Sequence, residues 1–200
     1  LNIREYSADE IEEQIKLIRQ TAEQTYDLFE DLLLWANSQS DHLTADLQNL
    51  DVHKVCAEVV QLMQNQGQRK GIRIYFSEQE QITVRADFFM LKTVIRNLLS
   101  NAIKFSHEGK RIEIEADYLN NGMVEIGVRD FGTGIPKAEQ EILFKTGHNV
   151  AKNGTANEKG TGLGLLVCKE FVEKHQGKIW VESIPFEGST FKFTIPSLDN

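Results

Sequence analysis

The chain of 200 residues has little cysteine, no long apolar run and no signal peptide. Its two cysteines, Cys56 and Cys168, lie far apart in apolar helical patterns. This placement indicates reduced core residues of a cytoplasmic protein, not a disulfide or a metal pair. Since no stretch approaches the roughly 18 apolar residues that a membrane-spanning helix needs, we predict no membrane contact from this chain.

The chain has fewer basic residues (22 Lys and Arg) than acidic ones (30 Asp and Glu). The formal net charge is −8, and no run of lysine and arginine marks a nucleic-acid face, which excludes the usual electrostatic footprint of a DNA-binding protein. The five histidines lack the spacing of metal ligands and are interpreted as scattered polar residues; they are His42, His53, His107, His148 and His175. The chain opens on leucine, so we expect a fragment of a longer protein whose anchor, if any, lies elsewhere.

The N-terminal part has the pattern of a long amphipathic helix. Ser7 and Glu10 form a capping-box motif. Mostly apolar residues then recur in steps of four and three at positions 11, 15, 18, 22, 25, 29, 32 and 36, the seam of a coiled coil or helix bundle. Two interpretations stand. The helix pairs with another protomer to form a homodimer, or it packs on the globular part of its own chain.

A polar stretch over residues 38–49 breaks this pattern. We therefore divide the chain into a bundle helix at 1–40, a linker at 41–49 and a mixed α/β domain at 50–200. The domain patterns predict helices over 55–63, 87–105 and 162–175, the last closed by Gly177, and strands over 72–76, 82–84, 111–118, 123–129, 178–183 and 189–195, with a hairpin turn at Asn121-Gly122. Helices bracketing paired strands indicate a two-layer α/β sandwich with a mixed sheet.

The helix predicted over 87–105 carries an unusual polar stripe. Asp87 is its expected N-cap, and apolar residues at helical spacing define a core face. Asn97, Asn101 and Lys104 lie on one stripe at offsets of four and three. Two amides and one ammonium suit an anionic ligand with Mg²⁺, because an amide oxygen binds the cation without adding negative charge. The alternative is an ordinary solvated face.

Two glycine motifs follow. Residues 130–136 read DFGTGIP directly after a strand, where Asp130 can accept a hydrogen bond from an exocyclic amine, favouring adenine over guanine. Gly132 and Gly134 allow positive φ and close approach of a flat ligand, although the motif also suits an ordinary turn. Residues 160–165 read GTGLGL at a helix start, where backbone N–H groups can cradle phosphate. Leu165 occupies the third-glycine place of a dinucleotide motif, so that fold is not indicated.

Together the three motifs give a family resemblance. From about residue 50 to 198 the chain resembles the catalytic, ATP-binding domain of bacterial sensor histidine kinases, a Bergerat-type fold shared with gyrase, mismatch-repair and heat-shock-chaperone ATPases. Residues 97–106 (NLLSNAIKFS) resemble its N box, 130–135 its first glycine box, 160–166 its second and 188–191 its last glycine motif. Residues 8–37 are similar to the second helix of the dimerisation-and-phosphotransfer domain.

The resemblance implies a role for each matching residue. Asp130 would bind the adenine amine, helped by Gly134 and by Thr190 through water. Asn101 would hold Mg²⁺, while Asn97 and Lys104 would act catalytically beside the phosphates. The remaining nucleotide contacts implied are Gly132, Ile135, Phe144 (the aromatic of the F box, in a loop predicted to lie over the phosphates), Gly160, Thr161, Gly162, Leu163, Gly164 and Leu165.

Departures from the family pattern carry information too. Phe131 stands where a small or polar residue is usual, and the second F-box aromatic is absent. In this family the phosphoacceptor histidine lies in an H-E/D-x-x-x-P sequence, which none of the five histidines matches. We expect that histidine before Leu1. Asn97 occupies the place of the glutamate base of the ATPase branches, and an amide cannot accept a proton near neutral pH.

We therefore predict an ATP- and Mg²⁺-dependent histidine kinase. Its partners would be a response-regulator receiver domain and a second protomer, joined through residues 8–37 and the missing first helix. The alternatives are a non-catalytic nucleotide-binding interaction module and an ATPase of the same superfamily.

Overall fold

The structure, a computed structural model, describes residues 44–76, 81–145, 152–156, 158 and 162–198, with separate positions between 7 and 36. Its strands are β1 (Leu47–Asp51), β2 (Arg73–Phe76), β3 (Thr83–Asp87), β4 (Arg111–Tyr118), β5 (Met123–Asp130), β6 (Ile179–Ile184) and β7 (Gly188–Pro196). Its helices from residue 52 onward are α1 (Val52–Arg69), α2 (Phe88–Phe105), α3 (Lys137–Gln140) and α4 (Gly164–Lys174).

The main sheet has five strands in the order β2-β4-β5-β7-β6. The pair β2–β4 is parallel and the other pairs are antiparallel, while β1 and β3 form a separate antiparallel ribbon. Alternate residues along the central strands are buried, as period-two geometry requires when one face is covered by helices; they include Ile112, Ile114, Val124, Ile126, Val128 and Phe193. The predicted two-layer α/β sandwich with a mixed sheet is confirmed.

Helix α2 is the central element of the helical layer. The Asp87 carboxylate accepts a hydrogen bond from the Met90 N–H and caps the helix as predicted. The apolar face is fully buried against α1, α4 and the sheet, including Leu91, Ile95, Leu98, Leu99 and Ile103. Burying each such side chain contributes about 1.5–3 kcal/mol, so α2 is held firmly and can position its polar stripe.

The predicted capping box at the N-terminus is confirmed. The Ser7 N–H donates to the Glu10 carboxylate and the Glu10 N–H donates to Ser7 Oγ, so two orphan donors of the helix start are satisfied. Described positions from 10 to 36 are helical. Ile15 and Ile18 on the predicted seam are 60% and 67% exposed. Seam position 32 lies outside the described residues.

Several predicted boundaries shift for identifiable reasons. Strand β1 occupies residues 47–51, so part of the predicted linker at 41–49 belongs to the domain and pairs with β3. Helix α1 begins at Val52, earlier than predicted, because the Asp51 carboxylate accepts from the His53 and Lys54 N–H groups and caps it. The one-turn helix α3 after Pro136 was not predicted.

The end of α4 differs from the prediction that Gly177 closes it. The left-handed residue is Gln176, with φ 60°, and the Gln176 and Gly177 N–H groups bond back to Glu173 O and Val172 O in a Schellman pattern. Gly177 is needed for another reason, because a Cβ there would lie 1.8 Å from Thr194 O. The neighbouring His175 is buried and accepts from the Asp87 N–H through Nε2, which ties α4 to the start of α2.

Both cysteines are buried and reduced, as predicted. Burial, together with the Asp51 carboxylate, raises the pKa of the Cys56 thiol to about 12, so this group is an inert core residue. Among the described residues no helix is long and apolar enough to cross a membrane.

The strained Gln176 gives a stability prediction. The left-handed region costs a residue with a Cβ about 1–2 kcal/mol, so Gln176→Gly is expected to raise the free energy of unfolding by about 1 kcal/mol. The measurement is urea unfolding at equilibrium. The matched control is Gln176→Ala, which removes the exposed side chain but keeps the Cβ and should give no gain. Equal effects of the two substitutions would contradict the strain argument.

Candidate functional site

The predicted polar stripe lies on α2, with Asn97 facing the first turn of α4. The Asn97 Nδ2 atom is buried and has no hydrogen-bond partner in the described part of the chain. A Cβ built on Gly164 would lie 3.5 Å from Asn97 Cγ, so the glycine brings the start of α4 close to the amide. A buried, unpaired amide costs about 1–3 kcal/mol, which indicates a site built to receive a further polar group.

Helix α4 presents its N-terminus to this stripe. Among the described residues no side chain caps the helix at its cap residue Leu163, and Gly162 precedes it with φ 75°. The first N–H groups of a helix have no intrahelical partners and carry the positive end of the helix dipole. Leu165 packs against the core and holds this turn in place. Gly160 and Thr161, predicted to contribute to the same cradle, lie outside the described residues.

Asp130 ends β5 and is only 3% exposed. Its Oδ1 accepts from the Gly132 N–H at 2.9 Å, and the Ser189 N–H also donates to the carboxyl group. Burial raises the pKa of Asp130 to about 6, although these two hydrogen bonds act in the opposite direction. A buried carboxylate with a costly charge is an effective acceptor for a ligand N–H group.

The first glycine motif packs closely against the protein's own backbone. We expected Gly132 and Gly134 to admit a flat ligand, but a Cβ at these positions would lie 2.1 Å from Phe105 O and 2.0 Å from Ile184 O. Only Gly134 of the two has positive φ, at 63°. The glycines therefore let the loop dock on the protein's own backbone, at the end of α2 and beside β6, and this docking positions Asp130.

Strand register separates Thr190 from Asp130. Asp130 pairs with Ser189, and Arg129 pairs with Thr190, so the Thr190 side chain lies on the opposite face of the sheet. Its methyl group lies instead beside Gly127, 3.8 Å from where a Cβ would be. The residue that shares the Asp130 face is Ser189, which sequence reasoning missed. Period-two counting back from the apolar residues of β7 could have found it.

Ile135 and Phe144 lie at the edge of the site as partly buried core residues. The Ile135 N–H donates to Ser183 Oγ, and the Phe144 ring meets the edge of Phe191 at 6.5 Å between centroids. The positions of the missing F-box aromatic, 148 and 150, are not described.

Lys104, at the end of the stripe, is half-buried and donates from Nζ to Lys152 O at 2.7 Å. Burial lowers its pKa; Glu158 opposes this effect and Lys70 adds to it. The Lys104 Nζ atom also lies 4.8 Å from the centroid of the Phe105 ring. Among the described residues its hydrogen-bond acceptor is one backbone carbonyl, which a ligand oxygen could replace.

The unusual Phe131 stacks between two guanidinium groups. Arg111 and Arg129 lie 4.6 and 4.7 Å from the ring centroid. Both arginines are on the sheet face opposite Asp130, since their neighbours Ile112 and Asp130 point to the core. Phe131 is thus part of a cation–π cluster with two arginines on this face of the sheet.

The residues brought together fit a nucleotide triphosphate with Mg²⁺. Within the described ranges no three acidic, histidine or cysteine side chains could hold a metal by themselves. Amide oxygens on α2 instead offer one or two ligands, and Mg²⁺ commonly completes its shell with water and substrate phosphates. The unpaired Asn97 amide and the uncapped α4 turn suit the same phosphates.

The raised pKa of Asp130 predicts a pH-dependent stability. The folded state binds this proton more tightly than the unfolded chain between pH 3.8 and about 6, so the contribution of this group to stability falls as the pH rises through that window. A tenfold difference in proton affinity between the two states corresponds to about 1.4 kcal/mol. Urea unfolding from pH 4 to 7 should show Asp130→Asn gaining stability relative to the unaltered chain as the pH rises. A constant difference across this range would contradict the assignment.

Comparisons with known proteins identify relatives of this chain. The chain is 37% identical over 186 residues to adaptive-response sensory kinase SasA of Prochlorococcus marinus, a match that covers 92% of this chain and 48% of that protein. It thus spans about half the length of this curated relative. Two solved structures share the fold at 24% identity, each matching 96% of this chain. They are full-length ShkA in complex with AMPPNP (TM-score 0.78, 40% of that chain) and histidine kinase ThkA in complex with response regulator protein TrrA (TM-score 0.74, 52% of that chain).

A family profile also matches, over residues 86–199, which contain α2, both glycine motifs and the last hairpin. The matched residues exceed half of the chain. This chain belongs to the family of histidine kinase-, DNA gyrase B- and HSP90-like ATPases, with homologues among the histidine kinase catalytic domains.

Proposed function

We propose that this chain is the ATP-binding catalytic part of a two-component sensor histidine kinase. It would donate the γ-phosphoryl group of ATP to a histidine outside the chain, for relay to a response regulator. The observation that carries the proposal is that three features meet at α2. They are the loop with the buried Asp130 carboxylate, the N-terminus of α4, and the unpaired Asn97 amide of α2, which faces α4.

At the purine end, Asp130 would accept a hydrogen bond from the exocyclic amine of adenine. The carboxyl group is buried and fixed by backbone donors, so its orientation is set before the ligand arrives. Guanine has an oxygen at the corresponding position and would place acceptor against acceptor, which gives selectivity by leaving a buried group unpaired. Ser189 replaces Thr190 as the side chain that assists from β7.

At the phosphate end, the charge of the triphosphate would be met by three kinds of group. The N–H groups at the start of α4, with the preceding residues 160–163, would cradle phosphate oxygens. Lys104 would exchange its bond to Lys152 O for a phosphate contact. Asn101 would hold Mg²⁺, which neutralises phosphate charge, with the Asn97 amide beside it. Phosphoryl transfer depends mainly on such positioning and charge neutralisation.

Asn97 favours a kinase over a hydrolase. An amide cannot take a proton from water near neutral pH, so hydrolysis would lack a general base at this position. A neutral imidazole is already nucleophilic and needs less activation. The second candidate function is ATP hydrolysis, as in the ATPases of the superfamily that carry a glutamate base at this position. The amide of Asn97 argues against it.

The proposed partners follow from the N-terminal helix and the relatives. The exposed side chains of Ile11, Ile15, Ile18, Phe29 and Leu33 on helical positions support pairing with a second protomer and with the first bundle helix. ThkA is described in complex with a response regulator. By analogy, a receiver domain would take the phosphoryl group from the acceptor histidine.

Binding of Mg-ATP tests the proposal directly. Titration calorimetry should detect ATP binding by the unaltered chain, and Asp130→Asn or Asn101→Ala should weaken it by tenfold or more through lost hydrogen bonding or metal coordination. The matched control is Thr190→Ala, on the opposite face of the sheet, which should keep the original affinity. Absence of any ATP binding would instead favour a non-catalytic interaction module.

Hydrolysis distinguishes the two candidate functions. Without a base at position 97, release of phosphate from ATP by this chain should stay near the uncatalysed background, and Asn97→Glu is expected to raise it. A phosphate-release assay at saturating Mg-ATP measures both proteins, with Asn97→Gln as the control for a longer side chain without a carboxylate. Rapid turnover by the unaltered chain would contradict the kinase assignment.

A further inference from the structure

Lys70 makes an unusual set of contacts for a helix-terminal lysine. It is the C-cap residue of α1, and its side chain is only 12% exposed. Its Nζ donates to Ile103 O at 2.9 Å, to Lys104 O at 2.8 Å and to Glu158 Oε1 at 2.7 Å. An ammonium group has three protons, so all of its donors are satisfied by two elements that are distant in sequence.

Glu158 belongs to a short segment, described at residues 152–156 and 158, that is docked on the end of α2. Glu158 Oε2 accepts from the Ala156 N–H, and the Gly154 N–H donates to Glu158 O, so the carboxylate also closes the turn of its own segment. Burial acts to raise the pKa of Glu158, but the hydrogen bonds from Lys70 and the backbone outweigh it and the pKa lies below its usual value. The carboxylate is therefore charged at neutral pH.

The segment makes further contacts with the same helix end. The Thr155 N–H donates to Lys104 O at 3.0 Å, and the Thr155 hydroxyl donates to Ser106 O at 2.6 Å. Gly154 fits because a Cβ there would lie 2.6 Å from Lys104 O. The docked segment thus depends on carbonyl groups of the helix that carries Lys104 and the two asparagines.

We propose that Lys70 is a positioning residue of the nucleotide site. Through its ion pair with Glu158 it holds the docked segment on the end of α2 and thereby sets the affinity for the triphosphate. This inference rests on the proposed function, because it concerns the phosphate end of the same site. Glu158 stands two residues before Gly160 in the sequence, so the ion pair lies next to the second glycine motif along the chain.

The expected effect follows from pre-organisation. Where only part of the population is competent to bind, the apparent affinity falls in proportion to that part. If the ion pair is lost, the segment keeps the Thr155 hydrogen bonds, the bond from Lys104 Nζ to Lys152 O and the ion pair of Lys152 with Glu139. It is then held less firmly, and the ligand must supply part of the free energy that orders it. The hydrogen bonds of Lys70 Nζ go to Ile103 O, Lys104 O and Glu158, whereas the Asp130 carboxylate accepts from the Gly132 N–H. Loss of the ion pair should therefore affect phosphate binding and leave purine binding unchanged.

The experiment compares Mg-ATP and adenosine affinities of the unaltered chain with those of Glu158→Gln, Lys70→Met and the double variant. We expect each single variant to bind Mg-ATP about fivefold or more weakly, with adenosine affinity unchanged and with the double variant no weaker than Lys70→Met. Lys70→Arg, which keeps donors, should recover part of the loss. Hydrogen exchange of the Thr155 amide should accelerate in Glu158→Gln.

The matched control is Glu58→Gln, which removes the ion pair between Glu58 and Lys92 at 2.8 Å. That pair also joins α1 to α2 but lies away from the docked segment, so Mg-ATP affinity should be unchanged. If Glu158→Gln weakened adenosine and Mg-ATP binding equally, or neither, the ion pair would have only a structural role and the inference would be wrong. If the unaltered chain bound no ATP, the proposed function itself would fail.

Discussion

The carbonyl groups at the C-terminal end of α2 are the constraint on which the site depends. The last carbonyl groups of a helix have no intrahelical partners. Here they accept hydrogen bonds from residues outside the helix. Lys70 Nζ donates to Ile103 O and Lys104 O, and the Thr133 N–H donates to Phe105 O. Thr155 donates to Lys104 O and to Ser106 O. The end of α1, the first glycine loop and the docked segment are therefore all hydrogen-bonded to one helix end.

This arrangement explains why Gly132 cannot be replaced by a residue with a side chain. The loop that carries Asp130 must approach Phe105 O closely, and a Cβ would lie 2.1 Å from it. About two turns nearer the N-terminus of α2, Gly164 allows the start of α4 to reach Asn97. The two glycines thus set the spacing between the purine end and the phosphate end of the proposed site, and neither needs contact with a ligand for that role.

Two buried polar groups of this site, the Asp130 carboxylate and the Asn97 amide, are unfavourable for the free energy of folding. Burial of Asp130 disfavours its charge and raises its pKa, and the Asn97 amide has no partner among the described residues. Under the proposed function, a bound nucleotide would supply a donor to Asp130 and a partner to the Asn97 amide. Local rules of folding are commonly broken at functional positions, and the surrounding core of α2 and the sheet supplies the compensation.

Local chemistry was enough to predict much of this protein: the capped start of α2, the period-two strands β4 and β5, and the three motifs that indicate a nucleotide site. These features depend on spacing along one segment. Period-two counting places Ser189, and not Thr190, on the buried face of β7, but the sequence could not show that Ser189 pairs directly with Asp130, because that pairing depends on the register of β7 against β5. It also could not show that Lys70 meets Glu158. That contact needs α1, α2 and a distant loop to converge, and only tertiary packing decides which carbonyls are left for a lysine to reach.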